Sequence, residues 1–337
     1  MQRRLKGRGW RLVFASLACV ALGCAALGAC GTAGFEQRER GPAVKKKDRT
    51  QGRASAEENR AGGFGEPEMV ARLDDQTLDE SSGLAASRAN PGVVWTHNDS
   101  GPPLVYAFDT GGRARGVWRV AGARLYDWED IALGPGPEAG RSYLYVADIG
   151  DNRRGRGEVT IYRFPEPQAT DAAARSDTKR PLATEPAEAI RLRYPDGAHD
   201  AEALMVHPQT GDLYVVTKVP LKPAAIYRLA APFKTAAVHT LERVGEFLPP
   251  TLAGGLVTGG DISPDGRRVV LCDYANGYEL RLPGGGSFDA VWGQSPAKFS
   301  LGERGQGESI AYAPDGAAVL ATSEGARPPL FRVSVPK

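Results

Sequence analysis

ESSGLAAS at residues 80–87, WEDIALG at 128–134, AEALMVH at 201–207, GGDISPDG at 259–266 and GESIAYAPDG at 307–316 are five versions of one segment. Each opens on small or acidic residues, continues as an apolar run and leads through a Pro/Gly or polar turn to a second run. The second runs are VVWTHND from Val93, YLYVADIG from Tyr143, DLYVVTK from Asp212, RVVLCDY from Arg268 and AVLATSE from Ala318. Third runs follow in VYAFDTGG, VTIYRFPE, AAIYRLAAP, GYELRLPGG and LFRVSVP, and more variable fourth runs in VWRVAG, AIRLRYPD, HTLERVG and AKFSLGE. Alternating β-branched and aromatic residues bounded by turn formers read as strands. Strand groups returning at this spacing are the sequence signature of a β-propeller.

The last group runs out of chain before a fourth strand. MVARLDD at 69–75 has the pattern of one and precedes the first complete group. The chain is therefore expected to be an all-β, five-bladed propeller, closed where this N-terminal strand joins the last blade and removes the open edge. Aligned first-strand positions are Ser82, Glu129, Glu202, Gly260 and Glu308, spaced by 47, 73, 58 and 48 residues. The long interval holds an Ala/Thr/Pro/Asp-rich insertion at 168–187, expected as a surface loop.

Three regions are expected. Residues 1–30 carry Arg3, Arg4, Lys6, Arg8 and Arg11, then an uncharged apolar run at 12–29, the pattern of an export signal. An uncleaved membrane anchor is the alternative, at the short end for a span. Residues 31–65 have almost no large apolar side chains and read as a disordered tether, with Lys45, Lys46 and Lys47 in a solvated spacer. Residues 66–337 form the propeller. The net charge of +2 hides an acidic domain, with 29 Lys and Arg against 35 Asp and Glu from Glu66 onward. That sign disfavours a nucleic-acid polymer as partner. Three of the four cysteines lie in the signal region, so Cys272 is alone in the domain and there is no disulfide framework. Within its strand it reads as a small core residue, and Trp95, Trp118 and Trp128 as packing aromatics.

In a propeller the first strand of each blade lines the channel and the second runs antiparallel to it. First-strand starts and second-strand ends therefore share a face. That face is expected to carry Ser82, Glu129, Glu202 and Glu308, flanked by Glu80, Asp127, Asp130, Asp200 and Asp261. Asn98, Asp99, Asp148, Asp151, Lys218, Asp273 and Glu324 join from the second strands. Converging carboxylates must take up protons or hold a cation, and oxygen donors without His or Cys favour Ca²⁺. Binding water or capping backbone N–H groups between blades is the purely structural alternative. No G-x-S-x-G elbow, Walker loop or H-E-x-x-H occurs. Ser100 with His97 has no further support as a catalytic pair, and His199 reads as a solvent-facing loop residue.

LGAC at 27–30 resembles the lipobox of bacterial lipoproteins, which implies lipidation at Cys30, with Cys24 in ALGC as a weaker candidate. The openings ESSGL, WEDIAL, AEALM, GGDIS and GESIAY resemble those of the calcium-activated nucleotidases (apyrases), five-bladed propellers that hold Ca²⁺ in the channel. That resemblance implies metal ligands at Ser82, Glu129, Glu202 and Glu308. Gly260 departs from it, so that a backbone carbonyl, water or Asp261 would have to substitute. DWEDIA, ADIGDN and IYRFPEP are similar to segments of bacterial phytase-like and esterase-like propeller proteins.

Two functions are expected from this reading. The first is a lipid-anchored monomer on the outer face of the cell membrane, binding Ca²⁺ at the channel mouth and a small molecule or protein on its acidic face. The second is a Ca²⁺-dependent phosphohydrolase, in which Asp99, Asp148 or Asp151 activates water and Lys218, Arg153 and Arg154 are the available cations.

Overall fold

Strand pairing settles the architecture. The computed structural model describes residues 57, 59, 60, 62–251 and 254–336; the signal segment, Cys24, Cys30 and most of the tether lie outside the described residues. Five sheets, each built on four antiparallel strands, follow one another along the chain. Blade one comprises Ser81–Ala86, Val93–Asn98, Leu104–Asp109 and Ala114–Arg119. Blade two comprises Trp128–Pro135, Ser142–Asp148, Val159–Pro165 and Glu188–Arg193, and blade three Ala201–Val206, Leu213–Pro220, Ala224–Leu229 and Glu242–Phe247. Blade four comprises Gly259–Ile262, Arg268–Cys272, Asn276–Arg281 and Ala297–Ser300. Blade five comprises Gly307–Tyr312, Ala318–Ser323 and Pro329–Ser334, and takes its fourth strand, Glu68–Arg72, from the other end of the domain.

That strand pairs antiparallel with the C-terminal one, Met69 opposite Phe331 and Arg72 opposite Pro329, as expected. The five innermost strands touch in cyclic order, and blade five returns to blade one. The ring is closed. The apolar core is divided accordingly into five clusters, each between two adjacent blades. Between blades one and two, Trp95, Trp118 and Trp128 are all buried, and Trp95 meets Trp118 edge-on at 5.1 Å. Cys272 lies in the cluster between blades four and five.

Several segments differ from expectation at the rim. The 168–187 insertion is not only a loop: Leu182–Ala183 adds a parallel fifth strand to blade one, against Trp118 and Arg119. Hydroxyls hold it there, with Val117 N–H donating to Ser176 Oγ at 2.8 Å and Ala121 N–H to Thr184 Oγ1 at 3.0 Å. HTLERVG is divided. Val238–Thr240 pairs with the outer strand of blade two, while Glu242–Phe247 completes blade three. At the N-terminal side, Asn59 bonds Ser300 through both N–H and C=O, and Phe64 stacks on Phe299 at 4.2 Å. Both residues fall within the 31–65 segment and are held against the propeller. Among the described residues, no helix is long and apolar enough to cross a membrane.

Candidate functional site at the channel mouth

The inner strands reveal why the five openings look alike. In four of them the ladder slips by one residue at the same place, between Ser81 and Gly83, Trp128 and Asp130, Ala201 and Ala203, and Gly307 and Ser309. The extra residue in each β-bulge is Ser82, Glu129, Glu202 or Glu308. A bulge breaks the period of two and re-aims one side chain. Blade four has no bulge, because Gly259, Gly260 and Asp261 pair in unbroken register with Cys272, Leu271 and Val270. A Cβ on Gly260 would press on Leu271 at 2.7 Å and on Met205 at 3.2 Å, so this position offers no side-chain donor.

The three glutamates are buried and close enough for their charges to interact. Burial first, then Glu202 and Asp127, holds the Glu129 carboxyl well above the usual carboxylate range. Burial pushes Glu202 up to about 8 against the opposing pull of Lys218, and Glu308 up to about 7. Their partners differ. The Lys218 ammonium donates to Glu202 and lies 5.0 Å from the Tyr274 ring centroid. The Gln306 amide donates to Glu308 at 2.8 Å. Glu129, 9% exposed, receives no hydrogen bond from any described residue. Gly150 passes beside it, and a Cβ there would overlap both the Glu129 and Asp127 carboxylates. Ser82 Oγ donates to the Glu80 carbonyl at 3.4 Å.

The residues expected as general bases fall into two groups. Asp99 lies against Glu80 and is pushed up to about 8 by burial and by that neighbour, to which Ser100 Oγ also donates. Asp148 and Asp151 lie on the blade-two side. Asp148 is ion-paired with Arg156 at 2.8 Å and accepts from Tyr126 N–H. Asp151 accepts from the N–H groups of Gly155 and Arg156, so its oxygens shape the loop that carries Arg156. Arg156 also donates to the Gly150 carbonyl at 2.8 Å and stacks on Tyr126 at 4.7 Å. The sequence reading points to Arg153 and Arg154 and misses Arg156. The Gly residues on either side of Arg156 and the Asp five residues before it were the legible signal for a turn that folds back on itself.

Asp130 and Asp261 are corrected from mouth residues to ties between blades. One position beyond the bulge or its equivalent, each faces the neighbouring inner strand. Asp130 accepts from Ile131 and Leu204 N–H, and Asp261 from Ile262 and Tyr312 N–H, all at 2.8–2.9 Å. With both oxygens so used, Asp261 does not replace the donor missing at Gly260. His97 is buried beneath Gly83, its basicity lowered to about 4 chiefly by burial, while Ser100 bonds Glu80; the two do not form a catalytic pair. His199 is held by Asp196 and Tyr227 at 2.9 Å each. The Cys272 thiol is fully buried and pushed up to about 12 by that burial.

The donor chemistry fits a hard divalent cation, since the candidate ligands at Ser82, Glu129, Glu202 and Glu308 are all oxygens and Glu129 has no hydrogen-bond partner among the described residues. Among the described residues no three His, Cys, Asp or Glu groups form a ready cage. Lys218 and Gln306 draw Glu202 and Glu308 toward themselves, so a cation would be held by Glu129 first, with Ser82, Glu202 and Glu308 completing the set.

No family model and no curated protein matches the chain. Among solved structures it is similar to one described as the structure of the Dos1 propeller, at 9% identity and a TM-score of 0.35, over 75% of this chain and 68% of that one.

Proposed function

We propose that the protein is an exported, lipid-anchored propeller that binds Ca²⁺ at the mouth of its channel and a ligand on the surrounding acidic face. The observation that carries this reading is Glu129, a largely buried carboxylate that receives no hydrogen bond from the described residues, beside Asp127, Asp200 and Glu202. Burying an unpaired charge is costly, and a bound cation removes that cost. When bound, Ca²⁺ would neutralise the mouth and fix the bulged strands relative to one another. The basic n-region, the apolar run and LGAC at 27–30 support export and anchoring at Cys30.

A phosphohydrolase needs cations that face an anionic substrate. Lys218 and Arg156 are already paired with Glu202 and Asp148, and Arg304 donates to the Thr322 and Asp273 carbonyls, which leaves Arg153 and Arg154, exposed on the loop after Asp151, against a ring of carboxylates. The binding reading is therefore preferred. Calorimetric titration of the metal-stripped protein with Ca²⁺ at near-physiological salt tests it. One saturable site, weakened by Glu129→Gln, is expected; neither heat nor thermal stabilisation would overturn the metal. Ca²⁺-dependent phosphate release from a nucleoside diphosphate, abolished by Glu202→Gln, would replace binding with hydrolysis.

A further inference from the structure

The mouth combines acidic side chains that lack ion pairs with exposed apolar ones. Among the described residues, its ion pairs are those of Arg156 with Asp148 and Lys218 with Glu202. Glu80, Asp99, Asp127, Asp200 and Glu324 have none. The Tyr194 hydroxyl is a second and independent sign of an unfilled site. The residue is 8% exposed, the hydroxyl has no hydrogen-bond partner among the described residues, and the charges of Arg156, Asp200 and Asp151 reach it.

Apolar side chains stand around this acid on the same face. Tyr126 directly precedes the Asp127 approach to the blade-two inner strand and is 73% exposed. Leu221, 78% exposed, occupies the turn after Leu213–Pro220, the strand that brings Lys218 to the mouth. Leu248, 55% exposed, follows Glu242–Phe247, whose end pairs with Ala224 beside that turn. Leu221 has φ of 60°, in the left-handed region that a leucine rarely adopts, and its backbone lies so close to Gly254 that a Cβ there would meet it at 2.6 Å.

We propose that this face docks a basic protein segment in which an aliphatic or aromatic residue neighbours its Lys or Arg side chains. The inference rests on the binding reading above and names its partner by chemistry. Arg156 already shows the mode of recognition, with its guanidinium between a carboxylate, a backbone carbonyl and the Tyr126 ring. Tyr126 keeps most of its surface open for a second cation. Anionic lipid and nucleic acid are repelled by the uncompensated acids, and a metal ion alone gives Leu221 and Leu248 no role.

The test uses the full-length chain in neutral detergent and a fluorescent peptide of about nine residues alternating Arg and Leu, read by anisotropy with Ca²⁺ present and with it chelated. Saturable binding is expected, weakened about tenfold or more between about 50 and about 500 mM salt. Leu221→Ser with Leu248→Ser should weaken it about tenfold while leaving Ca²⁺ affinity unchanged, since both side chains are exposed. Equal binding of an all-Arg peptide, indifference to the double substitution, or no binding would overturn the proposal. Concentration-dependent self-association lost in the double variant would also overturn it, in favour of a second copy. Ca²⁺ heat without peptide binding would sink this inference alone; peptide binding without Ca²⁺ heat would sink the metal alone.

Discussion

Glu129 concentrates the chemistry of the mouth in one residue. It is buried, repelled by Glu202 and Asp127, and lacks a donor, so in the metal-free protein it is a source of instability. Glu129→Gln should raise the stability of the metal-free chain by about 1 kcal/mol, the scale of one pKa unit, and lower Ca²⁺ affinity at least about tenfold. Chemical denaturation and calorimetry read the two effects separately. The pH dependence follows from Glu202 and Glu308, pushed up to about 8 and about 7. Between their ordinary range and these values the fold binds protons that the unfolded chain has released. This contribution to stability is fully present below about pH 4 and is lost as pH rises through 7 to 8. The metal-free melting temperature should therefore fall from pH 5 to pH 8. Saturating Ca²⁺ should flatten or reverse that trend if the proposed site exists, because a metal would bind the deprotonated ring. A melting temperature that rises with pH in chelator would contradict these assignments.

At the scale of the element, the bulge and the residue after it divide the work. The bulged position turns a polar side chain to the mouth, and in blade two the next residue, Asp130, ties the inner strand to blade three; Asp261 ties blade four to blade five. Asp261→Ala removes the acceptor of two buried N–H groups and should cost about 2 kcal/mol or more, without changing Ca²⁺ affinity. Gly150→Ala should do the reverse, abolishing Ca²⁺ heat by crowding Glu129 and Asp127 while blade two remains folded, as hydrogen exchange of 142–148 would report. The positions Ser82, Glu129, Glu202 and Glu308 were legible as equivalent because the repeat aligns them. Their bulges were not, since a slip in register depends on the partner strand. Arg156 was hidden for a similar reason. It lies eight residues beyond the second strand, and only the turn built on Asp151 brings it back.

For the whole molecule, closure is the central constraint. Each blade buries its faces only against two neighbours, so the five apolar clusters stand or fall together. Glu68–Arg72 is the strand that completes the circle. A chain beginning at residue 76 would expose the edge of Pro329–Ser334 and uncover the cluster that contains Leu73. It should lose cooperative thermal unfolding and elute as aggregate in size-exclusion chromatography, since an open apolar edge recruits other chains. A soluble monomer with an unchanged melting temperature would show that the ring does not depend on this strand.

The sequence by itself determined the number of blades, the closing strand, the shared face and the equivalence of its four polar positions. All of these follow from local alternation and from a repeat that can be aligned without coordinates. Only the tertiary structure decided which carboxylates are paired. Lys218 takes Glu202, Arg156 takes Asp148, Asp130 and Asp261 turn between blades, and among the described residues Glu129 is the ring glutamate left without a donor. The physical reason is distance. Burial and charge at the mouth are set by residues from all five blades, brought together by closure of the ring and separated along the chain by far more than any local pattern spans.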